Sequence, residues 1–325
     1  MTATVAATKA YDITGGTSVT REDLENMIYD ISPMETVFLS RIAGRGTAQS
    51  TTHEWLTDSL VAAAKNAAVE GDAHSPVART MPARLKNYTQ ISRKDIEVTG
   101  TAIAVNNAGM ASLFAYNTSQ ASLEIKRDME YGLLSDEPAS AGTSVSGRVS
   151  AGAEAWIYTP NHISVNQTTA TTTAPASGFA TSPVTDGSAT AFTETGLKSM
   201  LQQAWSSGGR TDIILCGPGL YNTISGFTGL ATRFRSVNSG EQADIVGAAD
   251  VYVSAFGSHK IMLSRYCRST TVFCLDKSAW SVNYLRPFQV VPVAKVGDAE
   301  RNMILAEYTL VCKKPLANTK ATGMS

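Results

Sequence analysis

The sequence predicts an α+β protein, and three observations carry that prediction. From Met110 to Leu134, Ala121, Ile125, Met129 and Leu133 recur every four residues. Phe114 sits one period earlier with only Thr118 interrupting, the signature of a long amphipathic helix. Two Thr-rich stretches, Thr51–Leu60 and Leu85–Thr101, carry β-branched and aromatic residues without helical spacing and read as strands. From Thr193 onward, short apolar runs alternate with helical faces, the texture of a mixed α/β unit.

In chain order, the first fifty residues read as an irregular arm holding one short helix. Thr20 is its N-cap, Leu24, Met27, Ile28 and Ile31 its apolar stripe, and Pro33 its stop. Met34–Ile42 restarts with Val37, Phe38, Leu39 and Ile42, a face that cannot be buried on itself. Thr51–Leu60 and Leu85–Thr101 then read as the two arms of a long hairpin, joined by an Ala-rich protruding loop over 61–84. The long helix follows, with Glu124–Arg127 and Lys126–Glu130 as local ion pairs and Pro138 beyond its end. A short helix is expected within 142–157. Residues 164–195, close to half Ser or Thr, read as a surface loop or linker, or as a β-rich insertion. Leu197, Met200, Leu201, Ala204 and Trp205 form a helical face ended by Gly208 and Gly209. Strands are expected at 212–216, 250–255, 260–264, 271–275, 288–294 and 303–312, with a helix at 220–227. The last strand, nearly continuous apolar sequence, is expected to be central.

Composition limits the function classes. Charged residues are 17% and hydrophobic ones 43%, enough for a sizeable core and against wholesale disorder. With 27 basic and 28 acidic residues, the net charge of −1 argues against a strongly basic nucleic-acid binder and leaves room only for a local basic patch. No apolar run reaches the roughly 18 residues of a membrane helix, and the first ten residues show no secretory signal. Cys216, Cys267, Cys274 and Cys312 lack CxxC spacing and read as small buried thiols of a reducing cytoplasm.

Enzymatic chemistry finds little support. His53, His74, His162 and His259 show no metal-ligand spacing and read as surface residues. Phosphate-loop and dinucleotide motifs are absent, and Gly142–Gly147 (GTSVSG) has neither GxSxG spacing nor a preceding strand. Gly217-Pro218-Gly219 could receive a phosphate but reads more simply as a tight strand-to-helix turn. The NxS/T triplets at Asn87, Asn117 and Asn166 fit chance in a Thr-rich chain. No catalytic residue, cofactor or metal is expected. Arg79, Arg84, Lys86, Arg93 and Lys94 gather around Tyr88, either as a phosphate-tracking strip or as a charged arm meeting carboxylates of a neighbouring subunit. Asp58, Glu70 and Asp72 would supply the opposite sign in such pairs.

Four segments carry a family resemblance: SPMETVFL at 32–39, HEWLTDSL at 53–60, VEGD at 69–72 and NYTQIS at 87–92. Together they resemble the major capsid proteins of tailed bacteriophages, in particular the family named for phage SU10. The resemblance implies an HK97-like fold. Its parts would be an N-terminal arm (1–50), an extended loop (51–100), a peripheral domain with a spine helix (101–163), the Thr/Ser-rich segment (164–192), an axial domain (193–280) and return strands (281–325). It implies self-assembly, as hexamers and pentamers, into an icosahedral shell around phage double-stranded DNA bound without sequence specificity. Separate scaffolding, portal and cement proteins would be partners, with no membrane. The location would be the virion, after assembly in the bacterial host cytoplasm. No long charged helical segment precedes the arm, so scaffolding is expected from a separate protein or not at all. On this reading Met34, Val37, Phe38, Leu39 and Trp55 are apolar anchors between subunits. Arg84, Lys86, Arg93 and Lys94 make charge pairs there, and Trp55 serves equally well at its own hairpin root. Replacing Phe38 and Leu39 with Asp would then leave soluble subunits that do not assemble. The rivals are a tail or decoration protein and an α/β hydrolase or transferase, the latter lacking a nucleophile–base pair.

Overall fold

The computed structural model describes residues 35–325 apart from 62, 68, 72, 74–78, 80, 106–111, 166–169, 228–250 and 296. The expected first helix, Met34, His74, Asp72 and Asn166 lie outside the described residues. Within them the chain opens with a single turn of π-helix, Phe38–Ile42. The strands that follow are β1 (Gly44–Thr47), β2 (Thr52–Thr57), β3 (Ala83–Tyr88) and β4 (Gln90–Thr99). Helices α1 (Gly100–Ala104), α2 (Leu113–Leu134) and α3 (Ala153–Trp156) come next. The last part holds α4 (Glu194–Ser206), β5 (Ile213–Cys216), α5 (Pro218–Ser225), β6 (Val251–Ser254), β7 (Gly257–Leu263) and β8 (Val272–Leu275). It closes with β9 (Trp280–Pro292), β10 (Ala299–Cys312) and β11 (Thr319–Ala321).

Two sheets organise these elements. One has the order β1-β9-β10-β4 and the other β11-β8-β5-β7-β6, while β2 and β3 form a separate two-stranded ribbon. As expected, β10 is interior to its sheet, and from Ile304 to Cys312 every residue is buried. All four residues of β5 are buried because each face meets a different core. Ile213 and Leu215 join one cluster with Phe273, Trp280, Tyr308 and Leu310. Ile214 and Cys216 join another, against Leu197, Met200, Leu201, Leu220 and Ile224 of α4 and α5.

The long helix forms as its periodicity predicts, from Leu113 instead of Met110. The Ser112 side chain caps it, accepting from Ala115 N. Ala121, Ile125, Met129 and Leu133 are its buried positions, and Ala121 and Ile125 pack on Ile96 and Val98 of β4 and Ile304 of β10. Its expected local ion pairs give way to contacts with other elements. Glu124 meets Lys94 at 3.6 Å, and Arg127 Nε donates to Tyr266 Oη at 3.0 Å. Glu130 is wholly buried.

Several expectations are corrected. The stretch 85–101 is not one hairpin arm: β3 pairs with β2, but β4 leaves the ribbon and pairs with β10 from Gln90 to Thr99. The division falls at Thr89, whose N–H still reaches Thr51 O at 2.8 Å while its hydroxyl donates to Glu307 at 2.8 Å. The short helix expected within 142–157 does form, over Ala153–Trp156. Strand β1, in the Gly-containing segment GRGT, forms by parallel pairing along the edge of β9. The Thr/Ser-rich tract has only isolated bridges, yet it is packed down. Lys86 N donates to Gly178 O at 2.8 Å, Ala139 N donates to Ala180 O at 2.7 Å, and Phe179 stacks on Tyr88 at 4.5 Å. Gly178 adopts φ +88°, and a side chain there would meet Arg84 O, so the close approach requires glycine.

Candidate assembly surfaces

The β2–β3 ribbon is fixed at its root and exposed beyond it. At the root, Trp55 Nε1 donates to Cys312 O at 2.9 Å and its ring lies 5.2 Å from that of Trp156. Asn87 is fully buried. Its Nδ2 donates to Leu310 O at 2.7 Å and to Ser150 Oγ at 3.0 Å, while its Oδ1 accepts from Ala151 N at 3.0 Å. Glu307, also buried, accepts from the Thr89 hydroxyl, from Arg148 Nη2 at 2.8 Å and from Arg286 Nε at 2.8 Å. Burial pushes its carboxyl up, but the Thr89 hydroxyl and the two guanidiniums outweigh burial and hold it below the usual carboxylate range. Buried polar groups satisfied this fully fix one geometry.

Away from the root the ribbon and its loop carry apolar side chains in the open: Leu56, Leu60, Val61, Val69 and Met81 are 65–89% exposed. Several large apolar side chains on one protrusion are what a contact surface requires.

The expected anchors distribute differently. Val37, Phe38 and Leu39 are 2%, 0% and 7% exposed and belong to the chain's own core, Phe38 meeting Trp280 edge-on at 5.7 Å. Their apolar surface is spent within the chain and leaves nothing to offer a neighbour. Trp55 is half-buried at its own ribbon root. Arg84 and Lys86 both pair with Glu54 across the ribbon, at 3.3 and 3.1 Å. Arg93 and Lys94 lie on β4, off the ribbon, where Arg93 pairs with Asp95 at 3.6 Å and Lys94 with Asp128 at 2.8 Å. The basic residues therefore do not form one strip.

Glu307 and Arg148 were not singled out in the sequence, while Glu130 was read only as a helix-surface partner of Lys126 and Asn87 only as a chance triplet. Glu130 receives the arm: its carboxylate accepts from Phe38 N at 2.7 Å and from Leu39 N at 2.8 Å, docking the π-turn on α2. Burial raises its carboxyl to about 7, against the backbone N–H groups that favour the anion. A carboxyl raised on folding adds stability that is full below its unfolded value near 4.5 and is lost as pH rises through about 7. Denaturation of the wild-type chain is expected to show a loss on the order of 1 kcal/mol between pH 5.5 and 8, and Glu130→Gln should abolish that component.

The described histidines also differ from expectation. His162 and His259 are buried, not superficial, and His53 is partly so. His162 Nδ1 and Nε2 each lie 2.9 Å from a hydroxyl, of Thr172 and Thr322, and burial lowers its pKa to about 3. The four cysteines are buried free thiols, as expected. Gly217 links β5 to α5 in a strand-to-helix turn, with Pro218 in the first turn of the helix. Among the described residues no group of His, Cys, Asp and Glu could hold a metal ion, and no helix is long and apolar enough to cross a membrane.

Comparison with known proteins decides the family. The model of the SU10 major capsid protein family matches residues 7–325. The chain belongs to the SU10 major capsid protein family. A curated relative, the major capsid protein of Escherichia phage Phieco32, is 26% identical over 322 residues, covering 90% of this chain and 91% of the relative. The fold is shared with solved phage capsids. The cyanophage A-1(L) capsid matches with TM-score 0.69 at 11% identity, covering 94% of this chain and 97% of that one. The capsid of a native GTA particle matches with TM-score 0.62 at 11% identity, covering 98% and 100%. This phage major capsid protein therefore has the HK97-like α+β fold, with a structural role in the virion shell.

Proposed function

We propose that this capsid protein assembles with copies of itself, as hexamers and pentamers, into an icosahedral shell that encloses double-stranded DNA without sequence specificity. The supporting observation is the β2–β3 ribbon: a satisfied root makes it a rigid arm, and among the described residues its apolar side chains stay exposed. Each copy then contributes several modest contacts, and closed symmetry sums them. The division into arm (1–50), extended loop (51–100), peripheral domain (101–163), Thr/Ser-rich segment (164–192), axial domain (193–280) and return strands (281–325) belongs to this reading. So do separate scaffolding, portal and cement proteins and assembly in the host cytoplasm.

The apolar partners of the ribbon lie on neighbouring copies, so charge there should act on assembly alone. Leu56→Asp with Leu60→Asp is expected to keep the wild-type melting temperature within about 2 °C, since surface substitutions change stability by about 0.5 kcal/mol or less. Electron microscopy of the same preparation should show no closed shells. Normal shells from this variant would remove the ribbon from the assembly surface.

A further inference from the structure

Where β9 begins and β10 ends, two turns carry lysines side by side. Trp280 pairs with Cys312, and just beyond that pair Lys313 N donates to Ala279 O at 2.7 Å. Lys277 opens one turn, Lys277–Ala279, and Lys313 and Lys314 lead into the other, Pro315–Ala317. All three lysines are exposed. Their backbones are held by buried Asn318. Its Oδ1 accepts from Asp276 N at 2.8 Å and from Trp280 Nε1 at 2.9 Å, and its Nδ2 donates to Lys314 O at 2.9 Å. Gly209 packs so closely on Ala317 that a Cβ there would lie 2.3 Å from its carbonyl oxygen, which brings Arg210 to the same surface.

The charge balance of this surface is one-sided. The carboxylates next to these cations in the chain are Asp212, 3.7 Å from Arg210, and Asp276, which is buried and accepts from Ser278 N and Oγ at 2.8 and 2.7 Å. Among the described residues no carboxylate lies within 4.0 Å of Lys277, Lys313 or Lys314, whereas Arg84, Lys86, Lys94, Arg268, Arg286 and Arg301 are all paired. Other described cations, among them Lys126, Lys260 and Arg265, also lack such a pair, but Lys277, Lys313 and Lys314 are brought side by side where β9 begins and β10 ends.

We infer that this surface contacts the phosphate backbone of double-stranded DNA, which rests on the shell reading above and places the 277–279 and 313–317 turns on the DNA-facing side of the shell. Lysine is a flexible point charge suited to phosphate. Its depletion from the cores of protein interfaces, with no aromatic ring in either turn, argues against an acidic protein segment as the occupant. The contact reads charge and not sequence, because no side chain here is arranged to reach base edges.

The test uses the full chain, unassembled, with a fluorescent 30-base-pair duplex titrated from about 50 to 200 mM salt. The variant Lys277→Ala/Lys313→Ala/Lys314→Ala is compared with a control of equal charge loss, Lys126→Ala/Lys198→Ala/Lys260→Ala. The first should bind several-fold more weakly at low salt. Its plot of log affinity against log salt should be shallower by roughly 0.9 per contacting lysine removed. The control should match the wild type, and both variants should form shells. Three results would overturn the inference: no duplex binding by the wild type, equal losses in both variants, or undiminished binding by the first variant, which together with failed assembly would make the surface a contact between copies. A wild type that forms no shells in electron microscopy would instead sink the shell reading, independently of the DNA titration.

Discussion

Phe38→Asp is expected to prevent folding altogether. Phe38 is 0% exposed, meets Trp280 at 5.7 Å, and shares a cluster with Met129, Leu133, Tyr308 and Leu310. A carboxylate there loses the burial of a phenyl ring and gains an unpaired buried charge, beside Glu130, which already docks the same turn. The combined cost exceeds about 4–5 kcal/mol, comparable with the whole stability of an ordinary domain. Even Phe38→Ala should cost about 3–5 kcal/mol. The check is the soluble yield and the thermal transition of the variant. Insoluble protein, or soluble protein without a cooperative transition, is the expected outcome. A well-folded subunit that merely fails to assemble would restore Phe38 to the contact surface suggested by its position in an N-terminal arm.

The second large effect concerns Glu307. Its two oxygens hold Thr89, Arg148 and Arg286, so Glu307→Ala leaves two guanidiniums and a hydroxyl without their acceptor. The side chains of Arg148 and Arg286 keep 32% and 43% exposure and can turn to water. The loss is therefore set at about 2–3 kcal/mol, below that of a fully buried broken pair. Because its carboxyl is held below the ordinary value, its contribution is present at neutral pH and is lost as pH falls through its folded pKa. Hydrogen exchange should locate the damage. The amide of Thr89, bonded to Thr51 O at the ribbon root, is expected to lose protection, while the β5 amides fall only with global stability. Unchanged protection at Thr89 would mean that Glu307 does not hold the ribbon.

The elements legible in the sequence were those whose signal is local. The four-residue recurrence through Met129 and Leu133 produced α2, and the apolar runs at 213–216 and 303–312 produced buried strands in two different sheets. Thr193, which accepts from Gly196 N, and the Gly208–Gly209 stop bounded α4 closely. The site was less legible because its contacts span the chain. Glu130 looks like half of an i,i+4 surface pair until Phe38 and Leu39, 92 and 91 positions away, supply its donors. Asn87 looks like a chance triplet until Leu310 and Ser150 close around it. Strand β1 has no alternating pattern of its own, and the edge of β9 imposes its conformation. Thr89 divides two strands of one continuous Thr-rich run, a division that only the competing partners Thr51 and Glu307 reveal. The apolar arm residues were correctly read as unable to bury themselves locally, but the surface they cover proved to be their own α2 and β9.

The most direct measurement is the state of the purified wild-type chain across a concentration series, by sedimentation velocity with electron microscopy of each fraction. Growth from subunits through hexameric and pentameric rings to closed shells, with the ribbon loop gaining protease resistance only in the assembled fractions, is the expected result. A single monomeric species at every concentration, or open tubes in place of shells, would contradict it.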